Sequence, residues 1–150
     1  MKKIITVLLT FLFLTSCGYT PMYSEKKFDF KLKDITVQKS DRLNSKVQKR
    51  LFNFSNQESQ KIISLKVAAQ RKINVLTKNS KGDPSRYEMI IDVKLDAVHG
   101  QNQNITQSFQ ERFNYNTNSN KFELKQYEKE IEDLLINKTI DLIIIYLSKI

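Results

Sequence analysis

From Ile63 to Val75 every odd position except Arg71 is apolar: Ile63, Leu65, Val67, Ala69, Ile73 and Val75. Ser64, Lys66, Gln70, Lys72 and Asn74 hold most of the even ones. A strand, whose side chains alternate between faces, keeps such a set on one side; a helix scatters it. The pattern recurs at once. Tyr87, Met89, Ile91, Val93, Leu95 and Ala97 share one phase, with Glu88, Asp92, Lys94 and Asp96 in the other. Between the two runs, Asn79-Ser80-Lys81-Gly82-Asp83-Pro84 carries turn chemistry. A third run, Ile105, Phe109, Phe113 and Tyr115, follows His99-Gly100-Gln101-Asn102 and closes at Asn116–Asn120. Three strands joined by short connections predict an antiparallel meander with one buried face.

What flanks the meander sets the architecture. Phe28, Phe30 and Leu32 alternate, and Ile35 and Val37 resume the alternation after Asp34. A strand over 29–38 is expected, bulged where the parity changes. Ser40 or Asp41 can cap a helix over 41–54, whose stripe is Leu43, Val47, Leu51 and Phe54. The final segment, about 122–149, has helical spacing. Stepping 100° per residue from Ile131 places Leu124, Tyr127, Leu134, Leu135, Leu142 and Ile145 within about 60° of it, the expected sheet-facing stripe. The opposite side of its second half carries Ile136, Ile140, Ile143, Ile144 and Leu147. A helix apolar nearly all round needs cover on more than one side. Its uninterrupted apolar run is too short to span a bilayer. The order β-α-β-β-β-α predicts an α+β fold: a four-stranded sheet with two helices packed on one face.

Before this domain lies a different kind of sequence. Met1-Lys2-Lys3 is basic, Ile4 to Leu14 is apolar apart from two threonines, and Ser16 precedes the sole cysteine, Cys17. This is the layout of a secretory signal. Residues 1–16 are expected to be a lipoprotein signal peptide, 17–27 a lipidated tether, and 28–150 a single domain. Leu14-Thr15-Ser16-Cys17 resembles the bacterial lipobox, which implies acylation of Cys17. Several acyl chains anchor a protein stably where one does so marginally. One cysteine forbids an internal disulfide, and with one histidine it excludes the usual structural zinc sets. The formal charge is +9, which suits nucleic acid, an anionic membrane or an anionic lipid head group. A secretory signal argues against nucleic acid.

The run Cys17-Gly18-Tyr19-Thr20-Pro21-Met22-Tyr23 resembles the opening of alphaproteobacterial LptE-like proteins, lipopolysaccharide-assembly lipoproteins of the outer membrane. Met22 stands where that family usually has leucine. Ile35-Thr36-Val37, Asp41-Arg42, Val47-Gln48-Lys49-Arg50-Leu51, Arg86-Tyr87 and Ser108-Phe109 are similar to its later segments, ending in a final helix without its own cap. The resemblance implies residence within the barrel of the outer-membrane translocon LptD, support of that barrel's folding, and help in delivering lipopolysaccharide to the outer leaflet. It implies no catalysis and no cofactor. The alternative is an envelope structural or adhesion lipoprotein with no lipopolysaccharide role.

Two candidate surfaces follow. Arg71, Lys72, Lys78, Lys81 and Arg86 surround the second and third strands and their turn, where they could meet lipid phosphates. The competing reading is a solvated hairpin whose lysines discourage aggregation. Ile136, Ile140, Ile143 and Leu147 could meet a barrel wall. Alternatively they pack against helix 41–54, since two helices on one sheet must touch. His99 is expected to be structural, and Asp92 and Asp96 to lie on a solvated face. No GxSxG, P-loop or HExxH motif occurs.

Overall fold

A computed structural model describes residues 28–99 and 103–150. The signal peptide, Cys17 and the tether lie outside them. Strand β1 (Lys31–Val37), helix α1 (Arg42–Phe52), strands β2 (Ile62–Lys78), β3 (Pro84–His99) and β4 (Gln103–Asn116) and helix α2 (Lys121–Leu147) follow in that order. The sheet order is β1-β2-β3-β4, with β1 parallel to β2 and the other pairs antiparallel. Both helices lie on one face, α1 over β1 and β2, α2 over β3 and β4. The expected architecture is found.

The β1–β2 register slips between Leu32 and Ile35, which pair with Ile63 and Leu65. One extra residue in β1 is a bulge at the parity change. The β2–β3 turn is held by Asn79, whose Oδ1 accepts from the backbone N–H groups of Lys81 and Asp83, each at 2.9 Å. Gly82 sits there at φ 89°, a conformation that favours glycine. Asp41 is the α1 cap, its Oδ1 accepting from the Asn44 N–H at 2.8 Å. The final helix has a cap of its own: Asn120 Oδ1 accepts from Phe122 N–H at 3.0 Å and Glu123 N–H at 3.3 Å.

The core joins the odd faces of β2 and β3 to Val47 and Leu51 of α1 and to nine-tenths-buried or better positions of α2. Here the expected face of α2 is corrected. Ile136, Ile140, Ile143 and Leu147 are no more than 2% exposed and form the buried side, not a partner-facing back. Leu134, Leu142, Ile145 and Tyr127, placed on the sheet by the sequence, are 40–45% exposed. The buried positions form two rows, 131-135-139-143-147 and 132-136-140-144. Rows of every fourth residue are inclined to the helix axis, so the contact stripe drifts around α2 as it crosses the sheet. A stripe drawn parallel to the axis misses that drift.

The core face of β2 also stops early. Ile63 to Ala69 are buried, yet Ile73 is 39% and Val75 46% exposed. Helix α1 begins opposite Ala69, so β2 runs on past its cover. Asn44 makes the junction. Its Oδ1 accepts from Ala69 N–H at 2.8 Å and its Nδ2 donates to Ala69 C=O at 3.2 Å. The side-chain amide imitates a neighbouring strand just past Val37↔Val67, the last β1–β2 pair.

Candidate functional site

Where α1 ends its cover, a recess of about 350 Å³ opens between the helices, lined by Asp41, Arg42, Leu43, Arg71, Lys125, Glu128, Lys129 and Glu132. A second recess, about 760 Å³, adjoins it through Asp41, Leu43 and Arg71 and reaches Lys39 and Lys72. The walls are tied together by ion pairs. Glu132, with a side chain 10% exposed, accepts from Arg71 at 2.7 Å and from Lys46 at 3.3 Å. Asp133 takes Lys46 at 3.0 Å and also Arg50, which donates to the Asp133 carbonyl at 3.1 Å and to Asn137 at 2.8 Å. Burial pushes the Asp133 carboxyl up, but Lys46 and Arg50 more than offset it and hold it below its ordinary value.

These carboxylates are committed to structure. Arg42, Lys125 and Lys129 are not: among the described residues none has an ion pair or side-chain hydrogen bond. Lys125 and Lys129 stand one turn apart and project from the same side of α2. Beyond them the floor turns apolar. Ile73 and Val75 are uncovered, and Val75 pairs with Tyr87. Tyr87 stacks on Tyr115 at 5.5 Å, and Tyr127 meets Tyr115 edge-on at 6.3 Å. The Tyr115 hydroxyl donates to Glu128 at 2.8 Å; burial, then that carboxylate, pushes its pKa up. The groove thus offers cationic donors at one end and apolar and aromatic surface at the other, the chemistry of an anionic amphiphile.

The sequence candidates do not converge. Arg71 lies in the groove, but its guanidinium is already paired with Glu132. Lys72, the next residue along the strand, lines the second recess together with Arg71 but not the first. Lys78 pairs with Pro84 and Arg86 with Thr77, so they and Lys81 sit at the hairpin tip, about 23 Å from Arg71 at 3.3 Å per residue. Arg42, Lys125 and Lys129 were not singled out. The i, i+4 spacing of the two lysines was visible, but their convergence with Arg42 across 83 residues of chain was not. Asp92 and Asp96 lie on the helix-free face, accepting from Gln110 at 3.2 Å and Thr106 at 2.7 Å. The side chain of His99 lies outside the described residues. Among those residues, no cluster of metal-ligating side chains and no helix long and apolar enough to cross a membrane occurs.

No family model matches the sequence, and no curated protein matches it. Solved structures do match. Rare lipoprotein B from Shewanella oneidensis superposes with TM-score 0.58 at 15% identity, covering 77% of this chain and 94% of that one. An uncharacterized lipoprotein B from Nitrosomonas europaea gives 0.59 at 17%, covering 81% and 83%. A minor lipoprotein from Acinetobacter baumannii gives 0.56 at 13%, covering 81% and 92%. At such identities the likeness is one of fold.

Proposed function

We propose that this chain is an outer-membrane lipoprotein, acylated at Cys17, that associates with an LptD barrel, supports its assembly and helps deliver lipopolysaccharide. The observation that carries the proposal is a shared fold: the described residues take the architecture of chains described as lipoproteins, almost over those chains' full length. The Leu14-Thr15-Ser16-Cys17 lipobox supports the same reading from the other end of the sequence. The role is binding, not catalysis. The groove's carboxylates serve as a helix cap, as ion-pair partners and as the acceptor for Tyr115, which leaves Arg42, Lys125 and Lys129, unpaired among the described residues, to meet phosphate. Ile73, Val75 and Tyr87 extend from them as a surface for acyl chains.

Depletion in the native host tests the assignment, with surface lipopolysaccharide and assembled LptD as readouts. Both are expected to fall; unchanged levels of both leave an envelope lipoprotein without this role. The groove is tested separately with the triple variant Arg42→Ala, Lys125→Ala, Lys129→Ala. Its affinity for lipopolysaccharide is expected to drop at least tenfold, and the native protein's affinity to weaken with salt. The tip variant Lys78→Ala, Lys81→Ala is expected to bind normally.

A further inference from the structure

Strand β1 flanks only the first part of β2. Their last pair is Val37↔Val67, where Gln38 N–H donates to the Val67 carbonyl at 3.0 Å, whereas β2 continues to Lys78. Asn44 closes the next rung by bonding both backbone groups of Ala69, at 2.8 and 3.2 Å. In an antiparallel ladder successive residues turn their N–H and C=O alternately to one side and to the other. Val67 and Ala69 turn theirs away from β3, and so therefore do Arg71, Ile73 and Val75. Among the described residues nothing bonds to the backbone groups of those three on that side. The register shift between Val75 and Thr77 ends the regular run. A strip of open edge is thus bounded by a side chain that imitates a strand and by a bulge.

The flank of this strip has its own chemistry. The recess of about 760 Å³ lies where β1 would have continued, between Gln38, Lys39, Asp41 and Asn44 on one side and residues 68–72 of β2 on the other. Of its charged residues, Asp41 caps α1 and Arg71 pairs with Glu132. Lys39 and Lys72 have no ion pair or side-chain hydrogen bond among the described residues. Next along the strand, Ile73 and Val75 leave apolar surface uncovered. Open backbone groups, uncovered apolar side chains and two uncommitted lysines therefore adjoin one another along a single edge.

We infer that the open edge of β2 at Arg71, Ile73 and Val75 takes an extended acidic segment of a partner protein as an added strand, antiparallel to β2, in the row that β1 leaves at Val37. An acyl chain can cover Ile73 and Val75 but offers nothing to backbone N–H and C=O groups; an added strand satisfies both. Neighbouring strands stand about 4.8 Å apart, so apolar side chains at alternate positions of the segment would lie beside Ile73 and Val75. Carboxylates between them would come within reach of Lys39 and Lys72, which supply charge-assisted donors. The same lysines select against a second copy of this chain: two β2 edges brought together would set like charges against each other. In antiparallel pairing, the residue opposite Ile73 exchanges both of its hydrogen bonds with it and places its side chain on the same face. The apolar residues of the segment are therefore the ones whose amides bond to β2. The inference rests on the edge and does not depend on the functional reading above.

The test is fluorescence polarisation with the full chain in detergent. The probe is an end-capped, labelled peptide alternating aspartate and valine, of about eight residues, enough to span the strip at 3.3 Å per residue. Saturable binding is expected. Methylating the valine amide nitrogens should weaken it at least tenfold, whereas methylating the same number of aspartate amides should leave it within about threefold. A lysine–valine counterpart should bind at least tenfold more weakly. On the protein, Ile73→Pro removes one edge donor at a position where an edge strand tolerates proline, so circular dichroism should be unchanged while peptide affinity falls at least tenfold. Lys39→Glu with Lys72→Glu, both on the surface, should lower it by a similar factor. No saturable binding, equal affinity of the two methylated peptides, or undiminished binding by both protein variants would overturn the proposal and leave the strip to acyl chains.

Discussion

Replacing Asn44 with alanine is expected to cost about 3 kcal/mol. The side chain is 2% exposed and lies between α1 and β2. It satisfies the N–H and C=O of Ala69, a residue 6% exposed, and also donates to Asp41 at 3.0 Å. Truncation would leave two buried backbone groups without partners. Each such loss costs about 1–3 kcal/mol, and a small void adds to it. Urea unfolding should show a midpoint lower by about 1.5 M at an unchanged slope near 2 kcal/mol/M, and a melting temperature lower by about 10 °C. Asn44→Asp sharpens the test. It keeps the size and still accepts from Ala69 N–H, but sets a carboxylate oxygen against the Ala69 carbonyl and near Asp41. That arrangement favours the protonated form, so the folded-state pKa of the new carboxyl would rise above its unfolded value near 3.9. The stability of this variant relative to native should be greatest below pH about 4 and fall as pH rises through that folded-state pKa. An Asn44→Ala cost under about 1 kcal/mol, or an Asn44→Asp deficit independent of pH, would refute the strand-mimic account.

Three further outcomes follow from named contacts. Ile140→Ala should cost about 3 kcal/mol in urea unfolding, as a buried aliphatic truncation does, while Leu142→Ala should stay within about 0.5 kcal/mol. Asp133 has a lowered folded-state pKa, so its contribution is present above its unfolded pKa near 3.9 and is lost as pH falls through the folded value. With its side chain 42% exposed, solvent screening limits that contribution to about 1 kcal/mol, and the difference between native and Asp133→Asn should shrink as pH falls below the unfolded value. Gly82→Ala should destabilise by about 1 kcal/mol through backbone strain at φ 89° alone, because nothing lies within 4 Å of the added carbon.

Much of the sheet was legible because its signals are local. Alternation at Ile63–Ala69 and Met89–Ala97 gave the strands and their buried face. The parity change at Asp34 gave the bulge, and Asp41 the cap. What failed required distance. Periodicity states which residues share a face, but not which face is covered or how far cover extends. Ile73 and Val75 continue the phase of Val67 and Ala69, yet α1 ends its cover at Asn44. In α2 nearly every direction is apolar, so the choice of buried side fell to the inclined rows that meet the sheet, and Ile140 exchanged places with Leu142. The groove was hidden for a related reason: its cations come from positions 42, 125 and 129, and only the fold brings them together.

The same mismatch between strand length and helix cover accounts for the groove. Strand β2 has 17 residues, about 56 Å at 3.3 Å each, whereas α1 has 11 residues, about 17 Å. A helix that short cannot cover the strand beneath it. The uncovered part keeps apolar side chains in the core phase and would be a liability if it were only an overhang. At Arg71 it adjoins the recess that Arg42, Lys125 and Lys129 line, and further along Val75 pairs with Tyr87, which makes it polar at one end and apolar along its length. Filling it discriminates between an overhang and a binding surface. Ile73→Glu and Val75→Glu, both on exposed positions, should leave the urea midpoint of the domain within about 0.3 M, yet reduce lipopolysaccharide binding at least tenfold by placing anions where acyl chains would lie. Normal binding by the double variant would show that the uncovered strand is not part of the ligand surface, and would confine any site to the cationic end.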